Sequence, residues 1–108
     1  MSKFIYIYSG PATPMDQFTP EHAAKEDAAW RGWMGALGAA LVEGGAPFMG
    51  ASVSVRDDGS KGPASQLSGY TVIEAADLAA AEALTEGHPF LSEGKGRFSI
   101  EVFELGRM

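Results

Sequence analysis

"GYTVIEAADLAAAEALTEG", residues 69–87, changes periodicity in its middle, and the change decides the fold. Tyr70, Thr71, Val72 and Ile73 are aromatic or β-branched, the residues that suit a pleated strand. Asp77 then offers a side-chain oxygen to the free N–H groups of a following helix. Residues 78–86, "LAAAEALTE", are rich in alanine, the best helix former, until Gly87 stops them. The stretch therefore predicts a strand, a capped start and a short helix.

Downstream, "RFSIEVFEL" at 97–105 reads as a last strand with Phe98, Ile100 and Val102 on one face. At the other end, "KFIYIY" at 3–8 is aromatic or β-branched at every position from Phe4, the pattern of a strand buried on both faces. "SGPATPMDQFTP" follows as a long loop, with Thr19 placed to cap a helix and Pro20 at its first position. That helix is predicted from Pro20 to Glu43, because Trp30, Trp33, Met34, Leu37 and Leu41 form one apolar stripe before Gly44-Gly45. Gly32, Gly35 and Gly38 lower its propensity by roughly 1 kcal/mol each, so packing of the tryptophan stripe must hold it. "ASVSVR" at 51–56 alternates and ends at Asp57-Asp58-Gly59, a strand followed by a turn.

The order is β, α, β, β, α, β, the ferredoxin-like arrangement of an α+β domain. It predicts one domain over residues 1–108, a four-stranded antiparallel sheet with two helices on one face. The other face is left bare. Phe4, Tyr6 and Tyr8 point to one side of the first strand and Ile5 and Ile7 to the other; Ile73 and Phe103 are assigned to the bare side as well. An apolar bare face predicts a homodimer formed through the sheets.

Charge excludes several partners. With 8 Lys plus Arg against 14 Asp plus Glu, the net charge is −6, and no basic stripe could neutralise phosphates. Nucleic acid and anionic membrane surfaces are not expected partners. The chain has no cysteine, which removes thiolate metal sites and cysteine nucleophiles. No apolar run approaches the roughly 20 residues of a membrane span, and the apolar run at the start is too short for a secretory signal, so a soluble cytoplasmic protein is expected.

Three blocks, "AAWRGWMGALGAALVEGGAPF" at 28–48, "LSGYTVIEAADLAAAEAL" at 67–84 and "GHPFLSEG" at 87–94, resemble the YCII-related proteins, in the actinobacterial and proteobacterial branch of that family. The resemblance implies a dimeric α+β barrel, and in some members acid–base chemistry by histidine and aspartate. Two departures stand out. A related branch carries Asp-Gly-Pro-Phe where this chain has Lys61-Gly62-Pro63-Ala64, and relatives carry Cys-Pro-His-Leu where it has His88-Pro89-Phe90-Leu91, which moves the histidine by two positions.

The candidate site residues each have two readings. His88 is either a helix-end cation facing exposed carbonyls or a general acid–base residue at the barrel mouth. His22 and Glu26, at i and i+4, either solvate a helix end or bring a desolvated carboxylate beside the tryptophans. Trp30 and Trp33 either pack the core or wall a ligand cavity, and Tyr6 and Tyr8 face either a cavity or a buried interface. No histidine spacing suits a metal, and "GGAPFMG" and "GSKG" fit neither a phosphate loop nor a dinucleotide fingerprint, so no metal or cofactor is expected. The expected function is binding of a small organic molecule in a cleft between helix and sheet. The protein is then either a cofactor-independent acid–base enzyme or a non-catalytic dimeric binding or accessory module.

Overall fold

The computed structural model describes residues 1–11 and 19–106; most of the loop before the first helix lies outside them. In chain order the elements are β1 (Ser2–Ser9), α1 (Pro20–Leu37), a 3-10 turn (Gly38–Ala40), β2 (Leu41–Pro47), β3 (Ser54–Val55), β4 (Lys61–Gly62), β5 (Leu67–Ala75), α2 (Leu78–Ala83), a 3-10 turn (Pro89–Leu91) and β6 (Ser99–Glu104). The main sheet runs β2-β5-β1-β6 and every pairing in it is antiparallel. This is the ferredoxin-like α+β architecture expected from the sequence.

Both predicted helix starts form. The Thr19 side chain accepts from the His22 N–H at 3.1 Å, with Pro20 at the first turn. Asp77 accepts from the Ala80 N–H at 2.8 Å. Each satisfies an amide that the helix itself cannot.

The end of α1 differs from expectation. The helix stops at Leu37, not at Glu43, because Gly38 takes a φ of +55° that a side chain would resist. Leu41, which matched the helical stripe, instead opens β2 and pairs with Ile73. Residues 41–47 thereby supply the sheet strand that had been assigned to "ASVSVR". Of that segment only Ser54 and Val55 are paired, in a separate two-stranded hairpin with Lys61 and Gly62. Its Val53 and Val55 lie exposed, so the alternation there has no core to serve.

β2 joins β5 through two register shifts, one between Leu41 and Glu43 and one between Glu43 and Ala46. Gly45 sits inside the second with φ +75°, and a Cβ there would lie 1.8 Å from the Tyr70 carbonyl oxygen. No other residue fits, which makes this a bulge that requires glycine.

The core lies between sheet and helices and contains Phe4, Tyr6, Tyr8, Trp33, Leu37, Ile73, Ala75 and Ala81. Ile73 corrects the sequence reading: it pairs with Phe4, shares its face and is fully buried under the helices. A shift of one residue in a strand exchanges the two faces, and the alternation of Thr71, Ile73 and Ala75 sets the register here. Phe103 does stand on the bare face, paired with Ile5 and 52% exposed. Ile5, Ile7, Tyr70 and Val72 share that face, each half-buried, and the register places Lys3, Glu74 and Glu101 on it as well. Two long-range hydrogen bonds tie the helical layer down: the Trp33 indole N–H donates to the Leu84 carbonyl at 3.1 Å, and the Tyr6 hydroxyl donates to the Ala81 carbonyl.

Candidate functional site

Gly87, at φ +76°, reverses the chain after α2 and turns His88 inward. The His88 N–H donates to the Thr85 carbonyl at 3.0 Å, and its side chain caps the turn at Pro89–Leu91. The ring is only 2% exposed. It packs against Trp33 at 4.0 Å and Trp30 at 4.7 Å between centroids.

Both ring nitrogens are engaged. Nδ1 accepts from the Phe90 N–H at 3.0 Å, and Nε2 lies 3.0 Å from the Tyr8 hydroxyl. Tyr8 in turn lies 2.7 Å from the Thr71 hydroxyl, which donates to the Gly44 carbonyl at 3.2 Å. Burial pushes the His88 pKa down to about 4 and raises that of Tyr8 to about 12. Both groups are therefore neutral near pH 7. The helix-end reading of His88 as a stabilised cation is thus corrected, because a desolvated imidazole resists its charge and a backbone N–H occupies the nitrogen that would take the proton.

Tyr8 is one wall of a cavity of about 350 Å³ between α1 and the sheet. Trp30 and Met34 of α1 and Phe90 of the 3-10 turn form other walls. Residues 44–47 and 68–70, with Ser68 and Tyr70 among them, line the remaining side, where the glycine bulge of β2 meets β5. Among the described residues, no Lys, Arg, Asp or Glu lines it. Trp30 meets Tyr8 edge to face at 5.2 Å, so the two rings hold each other in place.

Of the predicted site residues, Tyr8 and Trp30 meet at this cavity and His88 stands directly behind Tyr8. Trp33 and Tyr6 belong to the core, each with its polar atom bound to a carbonyl. His22 and Glu26 lie elsewhere, on a solvent-exposed groove beside α1, with their side chains 3.9 Å apart and 39% and 50% exposed. Glu26 is therefore not buried among the tryptophans.

Sequence reasoning missed Thr71, Phe90, Met34 and the Gly44–Gly45 bulge. A helix drawn through Glu43 concealed the bulge and also the exposed pair that Glu43 forms with Tyr70. There the Tyr70 hydroxyl donates to the carboxylate at 2.5 Å, and this bond with the nearby charge raises the phenol's pKa. Among the described residues, no group of three or more His, Asp or Glu is placed to hold a metal ion. No helix there is long and apolar enough to cross a membrane.

The family model described as "YCII-related domain" matches residues 1–105. This chain belongs to the YCII-related family. Among solved structures, this YCII-related protein is similar to the 5-chloro-2-hydroxyhydroquinone dehydrochlorinase TftG from Burkholderia phenoliruptrix AC1100, in complex with 2,5-dihydroxybenzoquinone. The TM-score is 0.59 at 19% identity, over 100% of this chain and 96% of that one. At that identity the likeness establishes the shared fold. No curated protein matches this chain in sequence.

Proposed function

We propose that this YCII-related protein binds a small uncharged organic molecule in the cavity between α1 and the sheet. The cavity itself carries the reading. Its volume of about 350 Å³ falls in the range of small-molecule sites, and its walls are mostly aromatic and apolar, without a charged side chain among the described residues. An ionised group placed there without a partner would lose several kcal/mol of hydration, so neutral molecules are favoured. The neighbouring structure holds a small one-ring organic molecule, 2,5-dihydroxybenzoquinone, which supports small-molecule binding but not the choice of an uncharged one.

The working unit in this proposal is a homodimer. Ile5 pairs with Val72 on one side and Phe103 on the other, and Ile7 pairs with Tyr70, so an apolar strip crosses the bare face opposite the helices, edged by Lys3, Glu74 and Glu101. Such a surface is best covered by its own copy, related by a two-fold axis. The net charge of −6 and the lack of a basic stripe argue against nucleic acid as an alternative partner.

The neighbour is named as a dehydrochlorinase, and an acid–base function without cofactor is the second reading. One observation favours it: Tyr8, which lines the cavity, is hydrogen-bonded through its hydroxyl to His88. In that reading Tyr8 would meet the bound molecule and His88 would position it from behind. The engagement of both His88 nitrogens favours binding over direct base catalysis by the imidazole.

Native mass spectrometry of freshly purified protein, followed by calorimetric titration with p-cresol, tests the binding reading. Gly44→Val is the matched variant, because a Cβ at Gly44 would meet Met34 Sδ at 3.7 Å and extend into the cavity. The proposal expects p-cresol to bind the native protein and to bind Gly44→Val at least about tenfold more weakly. Equal affinity for both would remove the cavity as the site.

A further inference from the structure

His88 does not line the cavity, yet it touches three residues that do. Its Nε2 meets the Tyr8 hydroxyl, its ring stands edge to face with Trp30 at 4.7 Å between centroids, and its Nδ1 accepts from the Phe90 N–H at 3.0 Å. Phe90 in turn packs on Tyr8 at 5.0 Å between centroids. The three residues belong to β1, α1 and the 3-10 turn at Pro89–Leu91, so one buried ring joins three elements that wall the cavity. The backbone fixes its tautomer: with Nδ1 accepting, the proton of the neutral ring is on Nε2.

We propose that His88 is a positioning residue for the cavity, holding Tyr8, Trp30 and Phe90 where a bound molecule packs on them, and that proton uptake by its ring opposes binding. This rests on the cavity being the binding site. A second proton would go to Nδ1, the nitrogen that faces the Phe90 N–H, and two donors cannot share that bond. Either the turn carrying Phe90 moves or the ring leaves its place, and each change alters a wall. No ionic partner offsets the charge. Among the described residues the hydrogen bonds of the ring go to Tyr8 and Phe90, and Tyr8 is the one titratable group among them. His22, Lys25 and Glu26 of α1 and Glu86 after α2 line the exposed groove with Pro89, and none of them bonds to the ring. Burial alone lowers the His88 pKa, to about 4, so binding is at full strength near neutrality and weakens as the pH falls through that value.

Calorimetric titration with p-cresol at pH 7 compares the native protein with His88→Leu and His88→Asn, with melting curves recorded for each. Leucine has similar bulk and no acceptor. Asparagine brings its Oδ1 near the place of Nδ1 and accepts from the N–H two residues on. His88→Leu leaves the Phe90 N–H without its partner and binds at least about tenfold more weakly than the native protein, whereas His88→Asn stays within about threefold of it. In the native protein the His88 ring signals are followed by nuclear magnetic resonance from pH 7 to pH 3.5. Their midpoint falls by about one pH unit at saturating p-cresol, because ligand and proton oppose each other by the same factor. Native affinity in His88→Leu, a His88→Asn that binds no better than His88→Leu, or an unmoved midpoint overturns the proposal; if Gly44→Val still weakens binding, the cavity remains the site. If p-cresol does not bind the native protein, the cavity reading falls and this proposal with it. The midpoint needs no variant, so it decides the matter even where a variant fails to fold.

Discussion

Tyr8 and His88, 80 positions apart in the chain, meet at 3.0 Å between phenol oxygen and imidazole nitrogen, with both groups uncharged near neutral pH. The pair joins the first strand to the turn after α2. It also sets the back wall of the cavity, so the stability of the fold and the shape of the site depend on the same contact.

The buried imidazole makes stability depend on pH in a definite sense. Its folded pKa of about 4 lies below the ordinary value of 6.5, so the unfolded chain takes up the proton first. The stabilisation is fully present above about pH 6.5 and is lost as the pH falls through the window toward 4, by about 3 kcal/mol across it. His88→Gln should flatten this part of the profile. At pH 8 it should still cost about 1–3 kcal/mol, because it removes a ring packed against two tryptophans. Denaturant titrations of both proteins at pH 8 and pH 5 measure it; a native profile no steeper than that of the variant would contradict the buried neutral histidine.

How much of this was legible in the sequence follows from which signals are local. The N-caps at Thr19 and Asp77, the dense strand at 3–8 and the βαββαβ order depend on neighbouring residues, and they could be read directly. The end of α1 was not legible, because Leu41 continues a helical stripe by spacing alone while Gly38 leaves the helix by a backbone angle that spacing does not encode. Ile73 was misplaced for a similar reason: its face depends on pairing with Phe4, far away in the chain. Tyr8 and Trp30 were identified as candidates, but the network that joins Tyr8 to Thr71, His88 and Gly44 needs three distant segments at once. His88 was singled out by its Gly-His-Pro setting, which marks a turn without telling whether the ring faces water or core.

Two glycines should respond oppositely to alanine. Gly35 lies within α1 with open space around it, so Gly35→Ala should stabilise by about 0.5–1 kcal/mol. Gly45→Ala should destabilise by several kcal/mol or prevent folding, since its Cβ would collide with the Tyr70 carbonyl. Thermal melts of the two variants compare them, and a tolerated Gly45→Ala would refute the bulge in β2.

The two tryptophans should separate stability from binding. Trp33→Phe removes a buried indole and its bond to the Leu84 carbonyl, at an expected cost of about 1–3 kcal/mol. Trp30→Phe changes a cavity wall and should weaken p-cresol binding more than it lowers the melting temperature. The reverse ranking would place the binding surface elsewhere.

The bare face makes a prediction about assembly. Sedimentation at micromolar concentration should give a dimer mass for the native protein, and Ile5→Asp, set between Val72 and Phe103, should give a monomer. A native monomer would remove the sheet-to-sheet dimer.

The most direct test of small-molecule binding uses the two indole N–H signals of the protein, one from each tryptophan. Titration with p-cresol, followed in a nitrogen-proton correlation spectrum, reports on Trp30 at the cavity wall and on Trp33 in the core separately. The account predicts a saturable shift of the Trp30 signal, with the Trp33 signal nearly still and the Trp30 shift reduced in Gly44→Val. A spectrum in which neither indole moves at millimolar p-cresol, or in which Gly44→Val responds as the native protein does, would contradict it.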